Sequence, residues 1–293
     1  MAEQKITLRK LRDFGENYNE TFGFIRQNFG PLLKSFFAVA GIFMLLHSIA
    51  IAMYSSEQSS FINDVFKDIA ANRSVADTLS IGYFLNLGSY YLLYVAMQTA
   101  ITGYFMAYDE KDGEKPAMTD VWKYFSRNFF KVFFYCIPLV LLLIIGTLFC
   151  LVPGIYLGVV LTPFVSVVMI EERSFTGSFN RCFTIIKENF WISLAIYLVS
   201  YIIFSMMSGI ITIVIGAIVG VATLFTTKQI GPAYVIIMSL ASVFQFIFYI
   251  VFYVSVMLHY YNLVERTDGT GLLNRINDIG NKEQGFFDNS GDF

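Results

Sequence analysis

The sequence predicts an all-α, polytopic membrane protein: six transmembrane helices arranged as three hairpins, each preceded by an amphipathic helix lying on the cytoplasmic face. Three observations predict it. Of 293 residues, 56% are hydrophobic and only 14% charged, where a soluble domain carries about 25% charge. The mean hydropathy is +0.61. A short phrase also recurs three times: Arg26-Gln27-Asn28-Phe29, Ser126-Arg127-Asn128-Phe129 and Lys187-Glu188-Asn189-Phe190. Each copy precedes an apolar run long enough to cross about 30 Å of hydrocarbon, which takes roughly 20 residues of helix.

The first repeat unit covers about residues 13–108. Phe14, Tyr18, Phe22, Ile25 and Phe29 recur at helical spacing, and Asp13 with Glu16 has the form of a capping box. Asn28 is predicted to close this surface helix, because asparagine tolerates a left-handed conformation and caps well. Gly30-Pro31 then opens a span over 32–54. A link of about 26 residues follows, in which Phe61, Val65, Phe66 and Ile69 predict a small surface helix on the opposite side. The second span covers 81–108.

The second unit covers about 119–170. Trp122, Phe125 and Phe129 line one face of its surface helix, with Thr119 as the expected cap and Asn128 as the hinge. Spans follow at 129–151 and 154–170, with kinks expected at Pro138 and Pro163. Pro153 and Gly154 stand where a type II turn between them would want them. The third unit covers about 174–262. Phe179, Phe183, Ile186 and Phe190 face the membrane, Asn189 is the hinge, and spans are predicted at 190–221 and 231–261. Residues 1–262 thus form one membrane domain, and 263–293, rich in Gly, Asn and Asp, read as a flexible cytoplasmic tail.

Charge sets the direction. Seventeen of the 20 Lys and Arg fall at one set of span ends; only Lys67, Arg73 and Lys228 fall at the other. Lysine and arginine remain on the cytoplasmic side, so both termini are expected there. The first apolar run follows a long charged lead and is too long for a signal peptide, so it is expected to stay as the first span. Arg26, Lys123, Arg127, Arg181 and Lys187 oppose the aromatic faces of the surface helices. That arrangement suits anionic headgroups. The partners expected are membrane lipids and a membrane protein or second copy of the chain; nothing in the sequence suits nucleic acid.

Chemistry-bearing residues are sparse inside the spans. His47 lies well inside and His259 near a cytoplasmic end. At 1.5 Å per residue their depths differ by very roughly 20 Å, too far to share a metal. His47, Gln98 and Gln245 are candidate intramembrane polar contacts, either bonds between helices or a solute path. Gly216 and Gly220, and Ser205 with Gly209, permit close helix approach. Glu171-Glu172-Arg173, at the end of the fourth span, reads as a salt-bridging group. Cys136, Cys150 and Cys182 share no metal spacing and read as packing residues. The three hinge asparagines read as fold punctuation or, more sharply, as a shared headgroup site. No catalytic constellation, cofactor motif or metal motif is present. The favoured expectation is a non-enzymatic scaffold or accessory subunit; the alternative is a carrier or lipid-handling protein.

From Phe129 to Tyr261 the chain resembles the membrane domain fused to some bacterial glycerophosphoryl diester phosphodiesterases, and its stand-alone relatives. The residues that carry this are Val152-Pro153-Gly154-Ile155-Tyr156-Leu157, Pro163-Phe164, Glu171, Ser178-Phe179-Asn180-Arg181, and Lys187 to Trp191. The opening, Leu11 to Glu16 and on through Phe29, is similar to stand-alone members from Bacteroidota. The resemblance implies a six-helix bacterial inner-membrane protein, accessory to other machinery. It does not imply phosphodiesterase activity, because the motifs matched are structural.

Overall fold

A computed structural model describes residues 5–67, 80–227 and 232–269. All its regular structure is helical: α1 (Phe14–Lys67), α2 (Ile81–Glu110), α3 (Met118–Phe149), α4 (Leu151–Leu161), α5 (Phe164–Ile170), α6 (Phe175–Ile186), α7 (Phe190–Thr227), α8 (Pro232–Gln245) and α9 (Tyr249–Asp268). Short 3-10 turns join α6 to α7 and α8 to α9.

By length and composition, five segments can cross a membrane: Phe14–Ser55, Met118–Phe149, Leu151–Ile170, Phe175–Thr223 and Tyr234–Asp268. This is a multi-pass membrane protein. The second predicted span, α2, is a sixth long helix, but its tyrosines, Gln98 and threonines lower its hydropathy. The reason lies in its surroundings. Val95 through Phe105 are buried on every face, because α2 packs against α1, α3, α5 and α9. A helix wrapped in protein can carry polar side chains that lipid would not tolerate. Tyr253 through Leu263 of α9 are likewise buried throughout. The core therefore gathers around the C-terminal half of α2 and the middle of α9.

Several expected boundaries move. At Asn28 and Asn128 the helix runs straight on, so surface helix and span are one continuous element in α1 and in α3. Each asparagine donates Nδ2 to the carbonyl one turn back, Phe24 at 3.1 Å and Tyr124 at 2.9 Å. An asparagine engaged this way sits inside a helix rather than closing it. Only at Asn189 does a break occur, as the 3-10 turn Lys187–Asn189.

Pro153-Gly154 is not a type II turn. The link from α3 to α4 is Cys150 alone, in extended conformation (φ −166°, ψ 139°), and Pro153 falls in the first turn of α4. Proline is tolerated there because the first amide hydrogens have no helical partner. Gly154 serves close approach instead. A Cβ placed on it would lie 2.5 Å from Thr147 Oγ1 and 2.9 Å from Thr147 Cα.

Pro138 stays within α3, whereas at Pro163 the helix is interrupted outright, between Leu161 and Phe164. Thr119 is not the α3 cap. The helix begins at Met118, and Asp120 accepts the Ala117 amide at 2.8 Å. The capping box at α1 is reciprocal, with Glu16 N to Asp13 Oδ1 at 2.7 Å and Asp13 N to Glu16 Oε2 at 3.2 Å. α1 continues to Lys67 rather than yielding a separate small helix near Phe61, and residues 68–79 lie outside the described ones. α9 runs past the expected boundary at 262 and ends at Gly269, in left-handed conformation at φ 63°. Residues 270–293 lie outside the described ones.

Gly216 and Gly220 face Tyr234 of α8, while nothing stands within 4 Å of a Cβ on Gly209. The first pair therefore serves packing inside the bundle. α7 is continuous through Met206-Met207-Ser208-Gly209.

Candidate functional site

The interruption at Thr162-Pro163 creates the most distinctive polar environment in the membrane-spanning part. Proline has no amide hydrogen, so a carbonyl in the preceding turn loses its helical partner. Two side-chain contacts serve carbonyls before and after the one that Pro163 would have bonded, that of Val159. Thr162 Oγ1 donates to the Gly158 carbonyl at 2.8 Å, and Gln98 Nε2 donates to the Thr162 carbonyl at 3.3 Å. Gln98 is 4% exposed, and its Oε1 has no hydrogen-bond partner among the described residues.

Beside this break lies a cavity of about 420 Å³. Its walls are α2 (Leu87, Tyr90, Tyr91, Tyr94, Gln98), α3 (Cys136, Leu139, Val140, Leu143) and the α4–α5 junction (Gly158, Leu161, Thr162, Phe164, Val165). Tyr94, Val140 and Thr162 each fall near the middle of the spans expected from the sequence. Its volume lies within the usual range for small-molecule sites, about 300–1,000 Å³. Two of its lining residues, Leu87 and Tyr90, are 54% and 43% exposed, so the wall reaches the outer surface of the bundle there.

The α2 wall follows helix geometry. Residues three or four apart share a face, and Leu87, Tyr90 or Tyr91, Tyr94 and Gln98 follow that spacing. Tyr91 donates to the Phe133 carbonyl, and the Tyr90 and Tyr249 hydroxyls stand 3.5 Å apart. The Tyr94 hydroxyl makes no hydrogen bond to the described residues. No Asp, Glu, Lys, Arg or His lines the cavity.

The other expected polar residues are not part of it. His47 is buried; its Nδ1 lies 3.0 Å from Ser89 Oγ, which donates to the Asn86 carbonyl at 2.9 Å. With the serine hydrogen on that carbonyl, the histidine donates from Nδ1. Tyr90 and Phe246 close over the ring. His259 repeats the device. Its Nε2 lies 2.8 Å from Ser193 Oγ, and Ser193 donates to the Asn189 carbonyl at 2.8 Å. Its Nδ1 is buried without a partner. Gln245, half-buried at the end of α8, makes no hydrogen bond to the described residues. The three hinge asparagines do not share a site: Asn28 accepts from Tyr104, Asn128 bonds within α3, and the Asn189 carbonyl holds Ser193.

A second polar cluster lies at the ends of α2 and α9, and composition alone did not reveal it. Residues 5–13 form an arm across both ends. Lys5 donates to the Asp112 carbonyl at 3.2 Å, and Arg9 pairs with Asp109 at 3.3 Å. Arg12 is 2% exposed; its guanidinium binds Glu20 at 2.5 Å, Leu8 O at 2.7 Å and Lys10 O at 3.1 Å, and also bonds Thr7 O. Asn262 of α9 grips the Arg12 backbone at both atoms, at 2.9 and 3.0 Å. Arg266 adds a contact to the same carbonyl at 2.9 Å. The Glu20 carboxylate beside Lys10 holds that ammonium above the ordinary lysine range, against a smaller opposing effect of burial.

Glu171 gathers Arg173 at 2.6 Å, Arg181 at 3.1 Å and the Tyr260 hydroxyl at 3.2 Å, and Arg181 also pairs with Asp268. Glu172, at φ 49°, pairs with Arg127 at 2.9 Å. Two cations expected to face headgroups, Arg127 and Arg181, are thus engaged by carboxylates, while Arg26, Lys123 and Lys187 are exposed. Cys136 and Cys182 are buried as expected of packing residues, but Cys150 is exposed. Among the described residues, no group of three or more His, Cys, Asp or Glu could hold a metal.

No protein-family model, no curated protein and no solved structure matches this chain.

Proposed function

We propose that this chain is a lipid-handling membrane protein that admits an amphipathic molecule into the bundle from the side. The observation that carries this reading is the cavity at the broken helix, whose wall reaches the outer surface of the bundle at Leu87 and Tyr90. Irregular backbone at membrane depth is tolerated where it is buried in protein or lines a cavity. A bundle built only to hold a partner has no need of an interrupted helix beside an empty volume. That consideration favours the carrier reading over the scaffold expected from the sequence.

The test is photocrosslinking. A diazirine-bearing alkyl probe is incorporated into nanodiscs with the purified protein. Labelling should map to residues 87–98 of α2 and 136–143 of α3, and Leu143→Trp should abolish it. Labels scattered over outward residues such as Leu148 and Phe149, unchanged in Leu143→Trp, would refute the reading.

The same reading carries a topology: six crossings with α2 as the sixth, three hairpins, and both termini in the cytoplasm of a bacterial inner membrane. Exposed Phe29, Phe130 and Trp191 follow the three asparagines by one or two positions, at the level where aromatic belts form. Cys150 then lies at the outer end of α3. An impermeant maleimide should label it in intact cells while buried Cys136 and Cys182 stay silent; labelling only after lysis would invert the topology. The resemblance to the phosphodiesterase-associated membrane domain belongs to this reading too. Its matched residues perform structural work here, with Pro153 and Gly154 at the α3–α4 junction and Glu171 with Arg181 in an ion cluster.

A further inference from the structure

The cavity wall specifies more than an apolar chain. Gln98 and Tyr94 stand one turn apart on the same face of α2, with Cβ atoms about 5–6 Å apart by helix geometry. Gln98 holds its Nε2 on the Thr162 carbonyl, which leaves Oε1 as an acceptor with no partner among the described residues. Tyr94 also lines the cavity, and its hydroxyl makes no hydrogen bond to the described residues. A buried acceptor without a partner is unfavourable, so a donor that reaches it is favoured. The terminal torsion of glutamine is soft, so a bound donor can draw Oε1 toward the cavity at the expense of the 3.3 Å bond to Thr162.

Resting on the lipid-handling reading above, we infer that the molecule admitted is an uncharged, hydroxyl-headed long-chain lipid, a long-chain alcohol or an acylglycerol. Its hydroxyl donates to Gln98 Oε1 and accepts from the Tyr94 hydroxyl. A hydroxyl is both donor and acceptor, which matches the pair. A carboxylate, sulfonate or phosphodiester head cannot donate to Gln98, and no cation on the wall compensates the loss of water of any anionic head. An ammonium head would find no carboxylate.

The experiment uses the full chain in nanodiscs and three diazirine probes of equal chain length: a long-chain alcohol, a monoacylglycerol and an alkyl sulfonate, which is charged at every pH. The alcohol or the monoacylglycerol should label the 87–98 and 136–143 peptides at least about tenfold more than the sulfonate, and the stronger of the two identifies the source. Gln98→Leu should lower that labelling about tenfold, and the near-isosteric Tyr94→Phe about threefold, each close to one hydrogen bond. Tyr94→Phe keeps the test decisive if Gln98→Leu fails to fold. If all three probes label those peptides equally and both variants behave as wild type, the hydroxyl assignment is overturned while the lipid-handling reading stands. If Leu143→Trp leaves labelling unchanged, both fall.

Discussion

Gly154→Ala tests the α3–α4 junction directly, because the structure supplies its own control one turn away. The new Cβ would lie 2.9 Å from Thr147 Cα and 2.5 Å from Thr147 Oγ1. The first contact is with backbone, and Thr147 Oγ1 is already held by the Leu143 carbonyl at 2.8 Å, so relief requires α3 and α4 to separate. Overpacking of this kind is destabilising by about 1–3 kcal/mol. Gly158→Ala adds the same atom in the same helix where nothing stands within 4 Å. Both substitutions gain the same helix propensity, up to about 1 kcal/mol, so the difference between them isolates the clash. At about 2–4 °C per kcal/mol, Gly154→Ala should melt roughly 2–12 °C below Gly158→Ala. The assay is thermal unfolding of the two purified variants in the same detergent. Equal midpoints would refute the claim that Gly154 is required for close approach.

Three further outcomes follow from the buried polar groups. Asn262→Ala leaves the buried Arg12 amide without its acceptor, a loss of about 1–3 kcal/mol; amide hydrogen exchange should speed up over residues 8–13 and be little changed in α3. Ser193→Ala strips His259 Nε2 of its partner and should destabilise by a similar amount, whereas pairing it with His259→Leu should recover much of the loss, which a double-mutant cycle of unfolding free energies measures. Because Glu20 raises the pKa of Lys10, the stabilisation that Lys10 gives the arm is complete below the ordinary lysine pKa and fades as the pH climbs through the raised value. Exchange protection of the arm should therefore fall at strongly alkaline pH in wild type and show no such step in Lys10→Met.

Membrane spans were legible because twenty-residue apolar runs have few competing explanations. The punctuation was not. Asn28, Asn128 and Asn189 share one local phrase, yet only the third accompanies a break. Whether an asparagine caps a helix or bonds back into it depends on what packs alongside, as Tyr104 does on Asn28. Pro153-Gly154 carries a turn signature that helix contact overrides. α2 reads as an ordinary span, and its full enclosure is visible only once α1, α3, α5 and α9 surround it. Gln98 stands out in the sequence as a polar residue in a span, and its companions at the cavity are Tyr94 and Thr162. Those residues sit far apart in sequence from one another or are too common in membrane helices to stand out. Arg12 counted in the sequence as one more cytoplasmic charge, and nothing local distinguishes it from a solvated arginine.

The bond between Arg12 and Asn262 spans 250 residues. The arm is therefore translated well before the residue that seats it. At about 5–20 residues per second, roughly 12–50 s of synthesis separate the two. Throughout that interval the Arg12 guanidinium can already bind Glu20 and the Leu8 and Lys10 carbonyls, while its backbone amide and carbonyl wait for Asn262. Seating of the arm is thus a fastening step in biogenesis, available only once α9 has arrived.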